Sequence, residues 1–487
     1  MADTETDPLL PNTRPAPEIS GYGFPARGGP PGFASTVDDE SNKFIVTESQ
    51  EIKQEPSANP KPRLLAILTA LVWIAVFVVV IFPTRFVWRD DLSIETRVDK
   101  ILSKTPLIDG HIDLALAIRL LYKNHIYYKN FTSPFENGGL TGQVDLPRLK
   151  KGNVGGAFWS AYVGCPKDGN DFSDDNYAEV VRQTYQQLDV LHRLLAAYPK
   201  QFSPTPSSSS ALDAFAQGRL ISPLSIEGLH QVGNSFAILR SYHALGVRYA
   251  TLTHNCHNIY ADAALIVTGP NESIVASKPL HGGLSDAGVA LIKEMNRMGM
   301  IVDLSHVSPD TMSDSMGGNT TKFPGGSAAP VIFSHSSSYA LCAHPRNVPD
   351  SILPLVKATN SLVMVNFNPE FISCTPAPPD SSTGIPDFYP ANSTLQQVVA
   401  HIKHIGDLIG FSHVGLGSDF DGIPDVPRGL EDVGRFPALV AEMLRQGISD
   451  EDARKVIGDN ILRVWRDVEA VAERLQRDGQ RPTEDDL

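Results

Sequence analysis

The sequence predicts an α/β protein, a (β/α)8 TIM-like barrel that follows an N-terminal tail and one transmembrane helix. From about residue 107 onward, short β-branched runs alternate with longer helical patterns, as in parallel βα units. The strand candidates number eight and cover residues 107–109, 156–163, 223–226, 248–253, 300–305, 330–334, 362–367 and 414–418. Eight such units close into a barrel, whose chemistry lies at the carboxyl ends of the strands.

The helical patterns carry start and stop signals. In "LSDAGVALIKEMNRMG", Ser285 is placed to cap a helix and Gly299 to end it. Ser449 and Asp450 precede the long pattern "EDARKVIGDNILRVWRDVEAVAERLQ" as caps. The barrel pattern therefore runs from about residue 107 to this last helix, and a charged tail at 476–487 follows it.

The first part of the chain differs from the rest in composition. Residues 1–63 are rich in proline and show no helical or alternating period, which predicts a disordered tail. The run "LLAILTALVWIAVFVVVIF" at 64–82 has no charge and approaches the length that crosses a bilayer, so it predicts a transmembrane helix. Its alternative is a buried core helix. Residues 83–96 then form a linker.

The orientation of the predicted span rests on the residues beyond it. Basic residues are balanced on its two sides and do not decide the matter. Beyond the span lie the four N-x-[ST] sequons, at Asn130, Asn271, Asn319 and Asn392, and the four cysteines, Cys165, Cys256, Cys342 and Cys374. Glycosylation and disulfides belong to oxidising compartments. We therefore expect a single-pass type II membrane protein with a lumenal or extracellular barrel.

The motif "ETDPLL" at Glu5–Leu10 resembles an acidic dileucine sorting signal. It predicts a vacuole-like endomembrane compartment. The alternatives are the cell surface and an accidental Leu-Leu pair in a disordered tail. The formal charge of −14 gives no support to nucleic-acid binding, which needs a basic face.

Potential metal ligands or proton carriers follow six of the eight predicted strands. His111 and Asp113, in "LIDGHIDLAL", lie two positions apart, so their side chains face the same way in an extended segment. A lone residue of this kind is more often a core histidine or a helix cap. Residues at six strand ends instead predict a metal site, and imidazole with carboxylate suits zinc. The others are Glu227, His254, His306, His335 and Asp419.

Six motifs closely resemble those of the membrane (renal) dipeptidase family, zinc peptidases of the amidohydrolase barrel type. The similarity covers residues 97–475 and keeps the order and spacing of the motifs. They read "DGHIDL", "SIEGLHQVGN", "LTHNCHN", "GMIVDLSHVS", "VIFSHSSSYALCAHPRNVPD" and "HVGLGSDFDGI". The resemblance implies a zinc dipeptidase that hydrolyses the peptide bond of dipeptides with metal-activated water.

The resemblance also implies a role for each site residue. His111 and Asp113 would hold one of two zinc ions per chain and His306 with His335 the other, while Glu227 would bridge both. His254 would contact the substrate carbonyl, Arg346 the free carboxylate, and Asp419 the free amino group and the proton of the leaving amine. By the same resemblance, Cys165 pairs with Cys256 and Cys342 with Cys374.

Some features depart from the family, and two other functions stay open. Ile112 stands where the family often has Asn, Leu229 where Gly is common, and residues 378–393 form an insertion expected near the rim. Well-known members carry a C-terminal lipid anchor instead of an N-terminal span. The alternatives are another amidohydrolase activity, on cyclic amides or β-lactam-like substrates, and an inactive barrel kept as a receptor or binding protein. A homodimer is an open alternative to a monomer.

Overall fold

The computed structural model describes residues 61–76, 92–204, 207–268, 273–319, 321–379 and 381–485. The chain divides into two compact units, Met1–Arg89 and Asp90–Leu487.

In the first unit, the described residues form one helix, Lys61–Val76, in which positions 66–76 are exposed. None of the helices in the described part of the chain is long and apolar enough to cross a membrane. The predicted span at 64–82 lies partly outside the described residues, as does the linker at 83–96. "ETDPLL" and most of the predicted tail lie wholly outside them.

The second unit is an α/β fold built on a parallel sheet of the TIM-like kind, and all eight predicted strands are present. They are β1 Leu107–Ile112, β2 Val154–Ser160, β3 Leu224–Glu227, β4 Val247–Thr251, β5 Ile301–Asp303, β6 Ile332–Phe333, β7 Leu362–Val365 and β8 Val414–Leu416. Each strand pairs in parallel with the next, from β1 to β8.

The barrel closes where the first strand meets the segment after the last one. The N–H of Asp113 donates to the carbonyl of Phe420 at 2.9 Å, and the N–H of Asp419 donates to that of His111 at 3.1 Å. Parallel pairing brings the carboxyl ends of all eight strands to one mouth. The predicted site residues therefore share one end of the barrel.

Helices cover the outside of the sheet, and the predicted helix signals are confirmed. Ser285 accepts a hydrogen bond from the N–H of Gly288, and Gly299 ends that helix with φ +80°. Ser449 caps the next predicted helix. The helices are Ile94–Leu102, Leu114–Tyr122, Lys129–Asn137, Leu146–Lys151, Asp174–Ala197, Ser208–Ala216, Phe236–Ala244, Asp286–Met298, Pro309–Ser315, Leu353–Ala358, Pro369–Ile372, Leu395–Ile409, Phe436–Arg445, Asp450–Arg454 and Asn460–Arg477.

The last predicted helix is interrupted by a π-helical turn, Lys455–Asp459. A Cβ at Gly458 would lie 1.9 Å from the carbonyl oxygen of Pro106, so only glycine allows the turn to approach the start of β1. Beyond it, Trp465 packs against Phe158 of β2 with ring centroids 5.6 Å apart. This contact places a buried apolar layer beneath the barrel mouth.

Short strands that the sequence pattern did not predict extend the fold. Phe202–Pro204 and Leu220–Ser222 add to the sheet beside β2. Leu265–Thr268 and Ser273–Ala276 form an antiparallel hairpin after β4. Runs of two to four residues are too short to show a period of two, which is why the pattern missed them.

Three of the four predicted sequons lie on described residues. Asn130 and Asn392 are exposed, and Asn319 is half-buried. Asn271 lies outside the described part of the chain.

The charged tail predicted at 476–487 packs against the barrel helices as far as Asp485. The guanidinium of Arg240 donates to the carbonyl of Thr483 at 2.7 Å, and the N–H of Thr483 donates to Glu294 at 3.1 Å. Glu294 is buried and also pairs with Arg240. The tail is therefore part of the folded unit.

Replacing Asp485 by Asn should lower the melting temperature. Its carboxylate accepts from the hydroxyl of Ser235 and from the N–H groups of Phe236 and Ala237, the start of a helix. Burial opposes ionisation, but these donors outweigh it and hold the pKa of Asp485 below its usual range. A helix cap contributes about 1 kcal/mol. We expect a loss of about 1–3 °C at pH 7, measured by calorimetry.

The pH dependence of this loss follows from the lowered pKa. The stabilisation is present above the unfolded pKa of about 3.9 and is lost as the pH falls through the lower pKa of the folded chain. The difference between parent and variant should therefore vanish in acid. Glu484→Gln, at the exposed neighbour, is the matched control and should leave the melting temperature unchanged. A difference that persists in acid would contradict this account.

Candidate metal centre

Five of the predicted residues meet at the mouth of the barrel, with Glu227 at their centre. One oxygen of Glu227, Oε1, lies 2.9 Å from Nε2 of His306 and 3.2 Å from Nε2 of His335. The other, Oε2, lies 3.6 Å from Nε2 of His111, which is 3.0 Å from Asp113. All five side chains are buried. Each oxygen of Glu227 thus faces buried donors, and the donor atoms of His111, Glu227 and His335 also lie within 4.8 Å of one another.

Hydrogen bonds behind His111 fix which ring nitrogen faces the centre. Its Nδ1 lies 2.6 Å from the hydroxyl of Tyr249, and that hydroxyl donates to the carbonyl of Gly110 at 3.0 Å. Because the hydroxyl has one proton to give, the Nδ1–H of His111 donates to it. Nε2 therefore points at Glu227 and Asp113. Burial opposes ionisation, but Tyr249 and these two carboxylates outweigh it and raise the pKa of His111 well above its usual range, so a cation held here would displace a proton from Nε2.

The other two imidazoles are held in the same tautomer. Nδ1 of His306 lies 3.1 Å from the amide oxygen of Asn255. Nδ1 of His335 lies 2.8 Å from the hydroxyl of Ser334, which donates to Asp303 at 2.7 Å. Burial lowers the pKa of both imidazoles well below the usual range. Each ring is therefore neutral and turns its Nε2 lone pair inwards.

These contacts leave a centre in which several buried donor atoms converge. The two Nε2 atoms of His306 and His335 lie 3.1 Å apart, and each faces Glu227. Asp113 Oδ1 is buried without a hydrogen-bond partner in the described part of the chain. Burial beside Asp113 and Asp419 also raises the pKa of Glu227. Cations would satisfy all of these groups, so the donor set fits a metal centre.

Another group of potential ligands is not a metal site. Cys165 and Cys256 lie near His230, but the two cysteines form a disulfide and offer no thiolate. The second disulfide joins Cys342 to Cys374. Both pairings implied by the resemblance are confirmed.

A cavity of about 320 Å³ opens beside the metal centre, and the three predicted substrate-contacting residues line it. The side chain of His254 is 14% exposed, and its Nε2 lies 4.0 Å from Oε1 of Glu227. Burial lowers the pKa of His254 well below its usual range, so the ring is neutral. Ile112 and Leu229, which differ from the family pattern, are buried outside this lining.

Arg346 is a buried cation that faces the cavity with spare donors. Its guanidinium lies over the ring of Phe371, 5.1 Å from the centroid, and makes a long 3.5 Å contact with the carbonyl of His335. Its Nε has no hydrogen-bond partner among the described residues. Burial lowers the pKa of Arg346 to about 10, which leaves it charged at neutral pH. A buried guanidinium of this kind favours an anionic ligand.

Asp419 lies beside the same donor set, near His111 and Asp113. Its backbone has φ +67°, a sparsely populated conformation for this residue type. The amide of Asn366 donates to its carboxylate at 3.0 Å. Burial raises the pKa of Asp419 to about 6. The carboxyl group can therefore gain and lose a proton near neutral pH.

The structure adds functional residues that the sequence analysis missed. Tyr162, just after β2, lines the cavity with its ring 4.7 Å from that of His254. Asn366 follows β7 and holds Asp419. With these two, every strand of the barrel contributes to the mouth. Both residues lie inside the predicted strands 156–163 and 362–367, which ran past the observed ends at Ser160 and Val365, so the sequence pattern did not place them at the mouth.

The fold and the donor set define a metal-dependent hydrolase of the α/β-barrel type. Residues 95–479 match the membrane dipeptidase family, peptidase family M19. The chain therefore belongs to this family, and it is a dipeptidase of the M19 metallopeptidases.

Relatives and solved structures agree with this assignment. Dipeptidase aclJ of Aspergillus oryzae is 46% identical over 408 residues, which cover 83% of this chain and 87% of aclJ. The probable dipeptidase PvdM of Pseudomonas aeruginosa shares the fold, with a TM-score of 0.65 and 22% identity over 78% of this chain and 99% of PvdM. A metallopeptidase of Rhodobacter sphaeroides was solved with a phosphinate mimic of the dipeptide L-Ala-D-Ala. Its TM-score is 0.59 and its identity 25%, and the match covers 75% of this chain and 99% of the Rhodobacter sphaeroides chain.

Proposed function

We propose that the protein is a membrane-anchored dipeptidase with two zinc ions per chain. The observation that supports the zinc centre is the position of Glu227, whose two oxygens each face buried donors. His111 and Asp113 would hold one ion, His306 and His335 the other, and Glu227 both. Imidazole and carboxylate ligands suit zinc.

A bound two-metal centre supplies Lewis acidity, which polarises the scissile carbonyl and makes water a nucleophile at neutral pH. The chain's own residues would do the rest. Neutral His254 would donate a hydrogen bond to the substrate's carbonyl oxygen as negative charge develops there. Asp419 would carry a proton to the amine that leaves, for which its pKa of about 6 is suited.

Two charged residues would select a substrate of two amino acids. Arg346 would bind the free carboxylate through its guanidinium, and Asp419 would bind the free amino group. A longer peptide would place an uncharged amide against one of these buried groups, which is unfavourable. The dipeptide mimic held by the Rhodobacter sphaeroides structure supports a substrate of this length.

Two further functions were left open by the sequence. An inactive barrel used as a receptor is disfavoured because all five donors are present and oriented by hydrogen bonds that such a role does not require. Another amidohydrolase activity, on cyclic amides or β-lactam-like substrates, is disfavoured by Arg346 and Asp419 together, since a cyclic substrate need not carry both terminal charges.

Elemental analysis combined with a hydrolysis assay tests the proposal. Purified full-length protein should contain two zinc ions per chain and hydrolyse Ala-Ala. It should not hydrolyse N-acetyl-Ala-Ala or Ala-Ala-Ala at a comparable rate. Trace metal with no gain in activity on adding zinc would refute the zinc centre, and equal rates on all three peptides would refute the dipeptide restriction.

Asn366→Ala should lower kcat/KM for dipeptides by about 10- to 150-fold, because it removes a hydrogen bond to a charged group, an interaction that contributes about 1.5–3 kcal/mol. Asn366 acts through Asp419, so the zinc content should be unchanged while the acid limb of the pH–rate profile moves. Asn360→Gly is the matched control, because it removes an exposed amide bonded to Asp467 and glycine accepts the φ of +57° at this position. An unchanged pH profile would show that Asn366 has a merely structural role.

We also propose a type II orientation with the barrel on the lumenal or extracellular side. The two disulfides and the exposed sequons at Asn130 and Asn392 support this side. Glycosidase should then reduce the mass of the full-length protein, and protease added to sealed vesicles should spare the barrel. Replacing Leu9 and Leu10 by Ala should move the protein from a vacuole-like compartment to the cell surface, unless the dileucine is accidental.

A further inference from the structure

Part of the cavity beside the metal centre is apolar. Besides the donors and the charged residues, its lining includes Leu265, Ile274, Phe371, Ile385 and Ile423. Leu265, Phe371 and Ile423 are buried, but Ile274 is 44% exposed. Binding of a ligand over such an exposed apolar surface is favourable, because the surface is removed from water.

Ile274 and Ile385 come from two additions to the barrel. Ile274 lies in the hairpin after β4, and Ile385 lies in the 378–393 insertion. The N–H of Ala276 donates to the carbonyl of Thr383 at 2.8 Å, so the hairpin and the insertion support each other. They form one wall, which we call the isoleucine wall and define by Ile274 and Ile385.

The insertion is also held at its base. Cys374 pairs with Phe388 across a short antiparallel ladder and is bonded covalently to Cys342. Cys342 precedes Arg346 by four residues. The same disulfide therefore ties the loop that carries Ile385 to the loop that carries the substrate-binding guanidinium.

The positions of the charged and apolar lining residues suggest where each part of a bound dipeptide would lie. Arg346 and Asp419 take the two terminal charges, and the metal donors surround the peptide bond. The side chains are then left for the remaining lining, in which Phe371 lies under the guanidinium and the carboxylate of Glu370 lies next to it in the chain. Among the described residues, no lysine or arginine other than Arg346 lines the cavity, so an acidic side chain would find no second cation there.

We propose that the isoleucine wall selects dipeptides with a bulky apolar side chain over those with a small or acidic one. This inference rests on the proposed dipeptidase function. Covering Ile274 and Ile385 removes apolar surface from water, whereas an acidic side chain loses hydration there without a partner. Differences of this kind discriminate between substrates by roughly 10- to 100-fold in kcat/KM.

The test compares Ala-Ala, Ala-Leu, Leu-Ala and Ala-Asp as substrates of the full-length, zinc-loaded protein. The parent should prefer at least one Leu-containing dipeptide to Ala-Asp by about 10-fold or more. Ile385→Ala and Ile274→Ala should each lower kcat/KM on that dipeptide by about 5- to 10-fold and leave Ala-Ala within about twofold. Ile385→Leu, which keeps an apolar side chain of the same size, should retain most of the preference.

Phe388→Ala is the matched control, because Phe388 lies in the same insertion and is 40% exposed but does not line the cavity. It should leave all four values unchanged. Equal losses on every substrate in Ile385→Ala, or no loss on either Leu-containing dipeptide, would overturn the inference. Hydrolysis of Ala-Ala without discrimination would overturn the isoleucine wall alone, whereas failure to hydrolyse any of the four would overturn the proposed function with it.

Discussion

Glu227→Gln should abolish measurable dipeptide hydrolysis, a loss of more than about 1000-fold in kcat. The amide has nearly the shape of the carboxylate but carries no charge and has one acceptor oxygen instead of two. Its NH2 group would donate to the imidazole lone pairs that are meant for metal. Both halves of the centre lose a ligand at once, so the zinc content should fall well below two per chain.

The measurement pairs elemental analysis with dipeptide kinetics on the same preparation. Glu473→Gln, at an exposed position on the last helix, is the matched control and should retain both zinc and activity. Calorimetry adds a second readout. Because metal binding stabilises only the folded state, a chelator should lower the melting temperature of the parent more than that of Glu227→Gln. A variant with full zinc content would show that Glu227 is not the bridging ligand.

Arg346→Ala should lower kcat/KM for free dipeptides by about 30- to 1000-fold. The guanidinium is buried and has an Nε without a partner among the described residues, so its hydrogen bonds to a carboxylate form with little competition from water. The same substitution should matter far less for a dipeptide amide, which has no terminal carboxylate. Arg346→Lys should restore only part of the loss, because an ammonium cannot reproduce the two-point fork.

The comparison of free dipeptide with dipeptide amide decides between two roles for Arg346. If the residue recognises the carboxylate, the parent prefers the free acid and the Ala variant loses most of that preference. If Arg346 only supports the loop around His335, both substrates lose rate equally, and the argument for substrate length fails. Zinc content is the control, since the contact of Arg346 with His335 is to the backbone carbonyl and not to the imidazole.

The part of the site that the sequence could predict is the part fixed by topology. In a closed parallel barrel, a residue that follows a strand faces the mouth whatever the adjoining loop does. His111, Glu227 and His335 could therefore be predicted from strand order alone. The eight strands were visible because each is apolar and β-branched, although their bounds shifted by a few residues.

The part that could not be predicted depends on side-chain conformation. Tyr249, Asn255 and Asp303 select the imidazole tautomers, but each is an ordinary strand or loop residue until its partner is known. The hairpin after β4 contacts the 378–393 insertion, and the two segments are far apart in the sequence. Such a contact leaves no hydrophobic periodicity in either segment from which it could be predicted. Asn366 was missed because the predicted seventh strand, 362–367, ran past the observed end at Val365 and enclosed it.

The closure of the barrel has a consequence for how the protein is made. The chain is synthesised from its N-terminus, so His111 and Asp113 emerge roughly 300 residues before the segment that bonds to them, Asp419 and Phe420. All five candidate ligands exist once His335 has emerged, yet the first strand still has an open edge. That edge is covered only when the eighth strand arrives. A nascent chain that stalls after His335 but before Asp419 would hold donors able to capture metal. It would still lack the carboxylate of Asp419, which the proposed reaction needs.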